Sequence, residues 1–360
     1  MVRHLFLPAS FFPSIGGAQG SMLNFISLFN EDDLVFVSLG LRGFFFSKKL
    51  KRNFYLSLPY IGALMKFNLI RKIYFYMLAF FYKPDIIWLY GGGFLASELL
   101  HSREIFGKKI KIILRSAGED IQYLEEVNYG HPEDSEYKKK LKQNYLKADF
   151  FWSLSEEISN LYKSFLIPSE KIFQIGNLVK LPFNLRKKES KTIKIGVIGR
   201  YHAKKQFHLG LEVASLLESS NFSFIFKTPN FCFKENLLNV SRYPDSQIKD
   251  LSFWPPQDVW NFYEDCDAIL ITSAIESFGN ITVEAGLAGC TILINENVTG
   301  YEIAKNLGFK VIGFSNFESS EIVNAINKID PKRENEIVRK PINELMLRKF
   351  IKFVKNEQQK

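Results

Sequence analysis

Cysteine is scarce in this sequence of 360 residues, which contains only Cys232, Cys266 and Cys290. No two of them have the C-x-x-C spacing of a zinc site, and an odd number cannot pair completely in disulfides. The sequence therefore indicates neither a cysteine-based metal site nor the disulfide framework of a secreted domain. We expect a reducing, cytoplasmic environment.

Long hydrophobic runs are also absent. The longest apolar stretches without charge, 53–65 and 73–82, fall short of the roughly 18 residues that a membrane-spanning helix needs. The N-terminus begins like a secretory signal, but Pro8 and Pro13 interrupt a short apolar run and no small-residue cleavage site follows. We predict no transmembrane helix, and we interpret the first residues as a buried strand that leads into a loop.

Acidic residues are missing from one window, 34–84, which contains nine Lys and Arg residues. Removing these nine from the 47 basic residues leaves 38, equal to the 38 acidic ones, so the net charge of +9 belongs to this window. On a helical wheel, one side of its second half collects Asn68, Arg71, Lys72, Phe75, Ala79, Tyr82 and Lys83. Basic and aromatic residues on one face suit an anionic membrane surface.

We therefore predict that 42–83 contacts an anionic membrane. The alternative is that these aromatic side chains belong to the core and the cations only surround it. No nucleic-acid partner is expected, because no binding motif accompanies the basic patch.

The rest of the composition is that of a globular protein. Hydrophobic residues make up 46% of the chain and aromatic residues 15%, which excludes a disordered protein. Short apolar runs alternate with helical patterns, as in βαβ units with parallel sheets. The predicted strands are 4–7, 34–37, 86–90, 110–114, 150–153, 193–198, 222–226, 268–271 and 291–294. The predicted helices are 18–29, 137–147, 155–165, 204–217, 257–263, 281–288 and 342–354.

A polar, charged and aperiodic stretch, 181–192, divides this pattern and is interpreted as a linker. We predict an α/β protein with two doubly wound, Rossmann-like domains, residues 1–185 and 190–340, facing across a central cleft. A C-terminal helix within 341–360 is expected to pack back across that cleft. Ligands of such proteins bind at the carboxyl ends of the strands, so a site is expected in the cleft.

Two carboxylates, Glu276 and Glu284, follow the predicted strand 268–271 with seven residues between them. The turn between that strand and the next helix contains Phe278, Gly279 and Asn280, whose backbone N–H groups would point out of the helix N-terminus. Such an end is suited to a diphosphate, and Gly279 allows close approach of the backbone. One carboxylate could then meet a sugar and the other a ribose diol. For two acids alone, surface positions would be the simpler interpretation.

Two cations, Arg200 and Lys205, follow Gly199 at the end of the predicted strand 193–198. Arginine can grip phosphate oxygens with a planar fork, and lysine can hold them as a point charge. Taken alone, a solvated pair of loop cations would be equally reasonable.

Together these two motifs resemble the nucleotide-sugar glycosyltransferases of the GT-B fold, specifically glycosyltransferase family 4. The family's Gly-Arg-x4-Lys is matched by Gly199, Arg200 and Lys205, and its Glu-x7-Glu by Glu276 and Glu284. Near the N-terminus, Gly16 and Gly17 resemble the family's glycine loop. Two motifs at the right separation, each at a strand end, are far more specific than either alone. The similarity is clear over 150–305 and patchy before it.

The resemblance implies a retaining hexosyltransferase. Together with the basic window, it predicts a lipid-linked or surface-polysaccharide acceptor, such as lipopolysaccharide, at the membrane. Glu276, Arg200 and Lys205 are the implied catalytic residues. The implied nucleotide-sugar-binding residues are Gly16, Gly17, Gly199, Phe278, Gly279, Asn280 and Glu284. The cations and the helix N-terminus would stabilise the leaving diphosphate. No metal or cofactor is expected beyond the nucleotide sugar, and the protein would work in the cytoplasm, peripherally on the inner membrane face.

Several positions depart from the family pattern. Ala117 stands where many members have a histidine that faces the donor sugar, Gln206 replaces a usual Gly or Asn, and Thr299 and Gly300 stand for a Gly-Gly loop. An alternative is therefore a catalytically weak or inactive subunit of a membrane assembly, and a third is an epimerase or phosphorylase. The D-x-D spacing of Asp265 and Asp267 is interpreted as structural, because a three-residue motif is weak.

Overall fold

The computed structural model describes residues 1–8, 17–38, 54–56, 64–181, 192–199, 202–217, 221–228, 248–250, 256–330 and 341–359. The chain forms two compact units. The first comprises Met1–Glu125, Tyr129–Leu178 and Asn343–Lys360, and the second comprises Glu126–Asn128 and Val179–Ile342. Most of the predicted linker, 182–191, lies outside the described residues.

The first unit is built on a seven-stranded parallel sheet. Its strands are β1 Arg3–Pro8, β2 Leu34–Val37, β3 Phe54–Leu56, β4 Ile86–Gly91, β5 Lys111–Ser116, β8 Phe150–Ser153 and β9 Ile172–Gln174. They lie in the order β3-β2-β1-β4-β5-β8-β9. Two short strands, β6 Tyr123–Leu124 and β7 Tyr129–Gly130, pair separately and antiparallel. The helices between the strands are α1 Gly17–Ile26, α2 Asn68–Tyr82, α3 Gly93–His101, α4 Glu136–Tyr145 and α5 Glu156–Ser164.

The second unit has a six-stranded parallel sheet. Its strands are β10 Ile193–Ile198, β11 Phe222–Thr228, β12 Ile248–Asp250, β13 Ala268–Ile271, β14 Thr291–Asn295 and β15 Val311–Phe314, in the order β12-β11-β10-β13-β14-β15. The helices are α6 Phe207–Leu216, α7 Pro256–Asp265, α8 Asn280–Leu287, α9 Thr299–Asn306 and α10 Ser319–Ile326.

Both sheets are doubly wound, as the alternating sequence pattern predicts. In each, the strand order reverses beside the first strand, between β1 and β4 in one unit and between β10 and β13 in the other. Every residue of β13 and β14 is buried, because helices cover both faces of a parallel sheet. This is why 268–271 and 292–294 are continuous apolar runs in the sequence.

The last helix, α11 Glu344–Gln359, belongs to the first unit. Its Phe350 ring lies 5.9 Å from the Trp88 ring and 4.8 Å from the Phe173 ring, measured between centroids. Lys355 forms an ion pair with the buried Asp33 at 2.5 Å. The chain therefore leaves the first unit after Leu178 and returns to it for its final helix.

The helical-wheel assignment of α2 is wrong in part. Arg71 and Phe75, both assigned to the membrane-facing side, are buried, and Arg71 pairs with the buried Glu98 at 2.5 Å. The exposed side of α2 instead presents Leu69, Lys72, Ile73, Tyr76 and Phe80. Within the described residues, no helix combines the length and the hydropathy needed to cross a membrane. Of the predicted membrane segment 42–83, residues 42–53 and 57–63 lie outside the described residues.

Candidate functional site

The candidate site of the second unit lies where its strand order reverses. Strands β10 and β13 are neighbours in the sheet, with Ile195 opposite Ala268 and Gly196 opposite Ile269. Because the strands are parallel, the segments that follow them leave the same edge of the sheet. Both sequence motifs are in these segments, at the position where doubly wound sheets bind ligands.

Lys205 and Glu276 form an ion pair across this edge, between Nζ and Oε1. Each side chain is only 13% exposed. Two further contacts join the segments: the backbone N–H of Ala274 donates to the carbonyl of Lys204 at 2.8 Å, and the Thr272 hydroxyl donates to the carbonyl of Lys205 at 2.5 Å. The two motifs are therefore held together by backbone and side-chain contacts.

The electrostatic surroundings keep Glu276 ionised. Burial alone would raise the pKa of its carboxyl, but the charges of Lys205 and Lys204, with hydrogen bonds from Lys205 and Ser273, lower it below its usual value. Glu276 is consequently a hydrogen-bond acceptor at neutral pH, with two oxygens that can accept hydrogen bonds from hydroxyl groups.

Helix α8 begins at the same edge with a glycine cap. Gly279 has φ +80°, a left-handed conformation that L side chains rarely adopt, and a Cβ there would lie 2.9 Å from the Thr282 hydroxyl. Phe278 before it is buried, and Asn280 is the first helical residue. The first N–H groups of a helix lack partners within the helix and form a site of positive potential. This end of α8 is therefore suited to an anion.

Glu284 lies on the second turn of α8, and the Tyr263 hydroxyl donates to its Oε2 at 2.9 Å. Burial raises the pKa of Glu284 to about 7, although the Tyr263 hydrogen bond and the charge of Lys205 act to lower it. The two carboxylates therefore differ, because Glu276 is firmly ionised and Glu284 titrates near neutral pH.

The remaining predicted residues are placed as follows. Gly199 directly follows β10, and its N–H donates to the carbonyl of Lys227 at 3.1 Å. Gly17 is the first residue of α1 in the first unit. Arg200 and Gly16 lie outside the described residues. The carboxylate of Asp267 accepts a hydrogen bond of 2.8 Å from the backbone N–H of Lys194. This contact lies at the amino ends of the strands, whereas Lys205 follows a carboxyl end, which agrees with a structural role for the D-x-D spacing.

The sequence did not predict the contacts of Tyr263 with Glu284 and of Thr272 with Lys205. Tyr263 is fully buried on α7, and its helical spacing does not distinguish it from an ordinary core aromatic residue. Thr272 follows the buried strand β13, where a hydroxyl at the strand end was a weak signal of a polar contact.

The comparisons with known proteins establish the fold. No family model and no curated protein sequence matches this chain. Solved structures match it along nearly its whole length. Anabaena HepE, solved in complex with UDP and glucose, has 17% identity and a TM-score of 0.70 over 99% of this chain and 100% of that one. UDP-N-acetylglucosamine 2-epimerase from Rickettsia bellii has 15% identity and a TM-score of 0.63, over 99% and 96% of the two chains.

The lipopolysaccharide outer core galactosyltransferase WaaB, in its apo form, has 15% identity and a TM-score of 0.56 over 98% of this chain and 99% of that one. These similarities show that the two Rossmann-like units have the GT-B fold, as predicted. Membership of glycosyltransferase family 4 stays a prediction.

Proposed function

We propose that this protein is a retaining glycosyltransferase that transfers a hexose from a nucleotide diphosphate sugar, with UDP as the favoured nucleotide. The observation on which this depends is the Lys205–Glu276 ion pair beside the N-terminus of α8. The HepE complex with UDP and glucose and the galactosyltransferase activity of WaaB support the choice of donor and reaction.

Each charged group would have a separate task. Lys205 and the N-terminus of α8 would hold the diphosphate, together with Arg200. Ionised Glu276 would accept hydrogen bonds from hydroxyls of the donor sugar. Glu284 would accept those of the ribose diol, with Tyr263 fixing one of its oxygens.

In the proposed reaction, the bond between the anomeric carbon and the diphosphate oxygen breaks. The acceptor hydroxyl attacks from the same face, and its proton passes to the leaving diphosphate. The products are the glycosylated acceptor and UDP. Negative charge grows on the leaving oxygens, where the cations and helix end are already placed to stabilise it. We expect no metal requirement, since these groups supply the positive charge.

A panel of nucleotide sugars tests this proposal, read by thermal shift and by release of nucleotide diphosphate. Glu276→Ala and Lys205→Ala should reduce turnover by about a hundredfold or more, as expected for groups that act in the transition state. Glu302→Ala and Lys305→Ala are matched controls, because this exposed pair lies on α9 with its charged atoms 3.9 Å apart. Absence of stabilisation by every nucleotide, or unchanged turnover in the first two variants, would overturn the proposal.

Two other activities are distinguished by the same assay. The second candidate is an epimerase that alters the sugar while it stays attached to the nucleotide, and the similarity to UDP-N-acetylglucosamine 2-epimerase favours it. NMR of the products separates an altered nucleotide sugar from a glycosylated acceptor. A binding subunit without activity is the third candidate, suggested by Ala117 in place of the family histidine. It predicts nucleotide binding without turnover.

The acceptor side is proposed to work at an anionic membrane on the cytoplasmic face. Leu69, Ile73, Tyr76 and Phe80 on the outer face of α2 are 72%, 49%, 59% and 71% exposed. Lys72 lies among them, and Lys66 and Lys83 are exposed at the two ends of the helix. Apolar side chains surrounded by cations match the surface of an acidic bilayer, where a lipid-linked or surface-polysaccharide acceptor would be available.

A further inference from the structure

Arg115 is a buried cation near the carboxyl end of β5 in the first unit, and it is only 2% exposed. It lies in register with Tyr90 on β4 and Trp152 on β8. Its guanidinium carbon is 4.0 Å from the Tyr90 ring centroid and 5.3 Å from that of Trp152. The aromatic rings on the neighbouring strands therefore hold the guanidinium in place.

Neutral groups provide the hydrogen-bond acceptors of this guanidinium. Nη2 donates to the Asn177 side-chain oxygen at 2.6 Å and to the Ser21 hydroxyl at 3.5 Å. Nε and Nη1 are buried and have no hydrogen-bond partner among the described residues. Two donors of a strongly charged group are thus left unused.

No carboxylate of the first unit compensates this charge directly. Among the described residues, none forms an ion pair with Arg115. The segments of this unit outside the description, 9–16, 39–53, 57–63 and 360, contain no Asp or Glu at all. Asp120 acts on Arg115 at longer range, but the hydroxyls of Ser116 and Tyr145 occupy its two oxygens.

A buried arginine without a partnering acid is unusual, because an isolated buried charge is costly. An arginine that binds a charged ligand has its partner only when that ligand is present. The position agrees with such a role, because Arg115 lies at the carboxyl end of a parallel strand, where doubly wound sheets bind their ligands. Ser21, whose hydroxyl Nη2 contacts, lies on the second turn of α1.

We propose that Arg115 binds a phosphate group of a substrate, with Nη2 and one of the two unused donors, Nε or Nη1, forming the fork. An arginine fork matches two phosphate oxygens, and an incoming phosphate would replace the Asn177 oxygen as the acceptor of Nη2. This inference goes beyond the proposed transfer reaction and does not depend on it. The phosphate belongs either to the donor diphosphate or to a phosphorylated acceptor, and the experiment distinguishes these sources.

The test uses the full chain and three probes: inorganic phosphate, glucose 1-phosphate and UDP. Calorimetric affinities are compared between the unaltered protein, Arg115→Gln and Arg115→Lys. Glutamine keeps a donor for Asn177 but removes the charge, whereas lysine keeps the charge and loses the fork. Arg103→Gln is the matched control, because Arg103 pairs with Asp149 at 2.8 Å and donates to Ile110 near the other end of β5.

Arg115→Gln should weaken binding of at least one probe by about tenfold or more, with a smaller loss for Arg115→Lys. If the affinity falls for glucose 1-phosphate and inorganic phosphate but not for UDP, the phosphate belongs to the acceptor. If the affinity for UDP falls as well, the phosphate belongs to the donor. Arg103→Gln should lower the melting temperature and leave every affinity unchanged.

Two results would overturn the inference: the unaltered protein binds none of the probes, or Arg115→Gln binds all of them as tightly as the unaltered protein does. If Arg115→Gln does not fold, unchanged affinities in Arg115→Lys have the same meaning. The proposed function is tested separately by Glu284→Gln, which lies in the second unit and should affect UDP alone.

Discussion

The Tyr263 hydroxyl donates a hydrogen bond of 2.9 Å to Oε2 of Glu284, which joins α7 to α8 across the end of the second sheet. Oε1 of Glu284 has no hydrogen-bond partner among the residues that the structure describes. A fully buried tyrosine thus fixes one oxygen of the carboxylate, and the other is the oxygen that we propose accepts the ribose hydroxyls. Because its hydrogen bond favours the ionised carboxylate, Tyr263 also opposes the effect of burial on the pKa of Glu284.

Tyr263→Phe should therefore weaken binding of UDP in a pH-dependent way. Loss of the hydroxyl raises the pKa of Glu284 further above 7, so that less carboxylate is available near neutral pH. We expect affinity for UDP to fall about tenfold at pH 7 and to recover partly at pH 9. Calorimetry over this pH range measures the change, and 2′-deoxy-UDP and 3′-deoxy-UDP should show a smaller loss.

The matched control is Tyr301→Phe, since the exposed Tyr301 hydroxyl also contacts a glutamate, Glu296, at 3.4 Å. It should leave UDP binding unchanged at every pH. A uniform loss of affinity from pH 6 to pH 9 in Tyr263→Phe would instead mean that the tyrosine only supports the fold.

Glu284→Gln should stabilise the protein without ligand at high pH. Burial raises the pKa of Glu284 in the folded state from 4.5 to about 7, so folding favours the protonated form. Stability from this group is present below about pH 4.5 and is lost as pH rises through 7. Replacing Glu284 with neutral glutamine should thus raise the free energy of unfolding by about 2–3 kcal/mol at pH 8 and change it little at pH 4. Urea denaturation at both pH values measures the difference, and equal effects at the two would contradict it.

The positions of Lys205 and Glu276 could largely be predicted from sequence. Apolar runs defined β10 and β13 with the bounds that the structure shows, because all of β13 and the last four residues of β10 are buried. The doubly wound order then makes these strands neighbours. The segments after them must meet at one edge, although 71 positions separate the two residues.

Other contacts depend on partners that periodicity does not reveal. Arg71 is buried because it forms an ion pair with the buried Glu98 on α3. A helical wheel of α2 contains no information about Glu98. Arg115 directly follows the predicted strand 110–114, and no sequence motif indicated that it binds a ligand. Among the strands that were not predicted, β9 and β15 are mostly half-buried, so their apolar patterns are too weak to distinguish them from loops.

Two helical glycines should respond oppositely to alanine. A Cβ on Gly286 in α8 would lie 2.2 Å from the Phe309 ring, whereas one on Gly20 in α1 would meet none of the described residues within 4 Å. Gly286→Ala should destabilise the protein by about 2 kcal/mol through overpacking. Gly20→Ala should stabilise it by roughly 0.5–1 kcal/mol, because alanine loses less backbone entropy in a helix. Thermal and urea unfolding of both variants measure these changes, and destabilisation by Gly20→Ala would show an unexpected contact at α1.

Replacing the apolar residues on the outer face of α2 should release the protein from acidic membranes. In the double variant Leu69→Gln and Phe80→Gln, two side chains that are 72% and 71% exposed lose their apolar character. Burial of each in a bilayer would contribute about 1.5–3 kcal/mol, so partitioning onto vesicles should fall more than about tenfold. Lys72→Glu should further weaken binding to anionic vesicles, by about 1–2 kcal/mol, and leave binding to neutral vesicles unchanged. Co-sedimentation with phosphatidylglycerol and phosphatidylcholine vesicles measures both effects.

Leu345→Gln is the matched control for α2, since Leu345 on α11 is 67% exposed and lies outside the basic window. If α2 is the membrane contact, this substitution leaves partitioning unchanged while the α2 variants lose it, and raising the salt concentration weakens binding of the unaltered protein to acidic vesicles only. Equal losses for Leu345→Gln and the α2 variants would instead indicate nonspecific hydrophobic adsorption. Binding to neutral vesicles that matches binding to acidic ones would remove the role proposed for Lys66, Lys72 and Lys83.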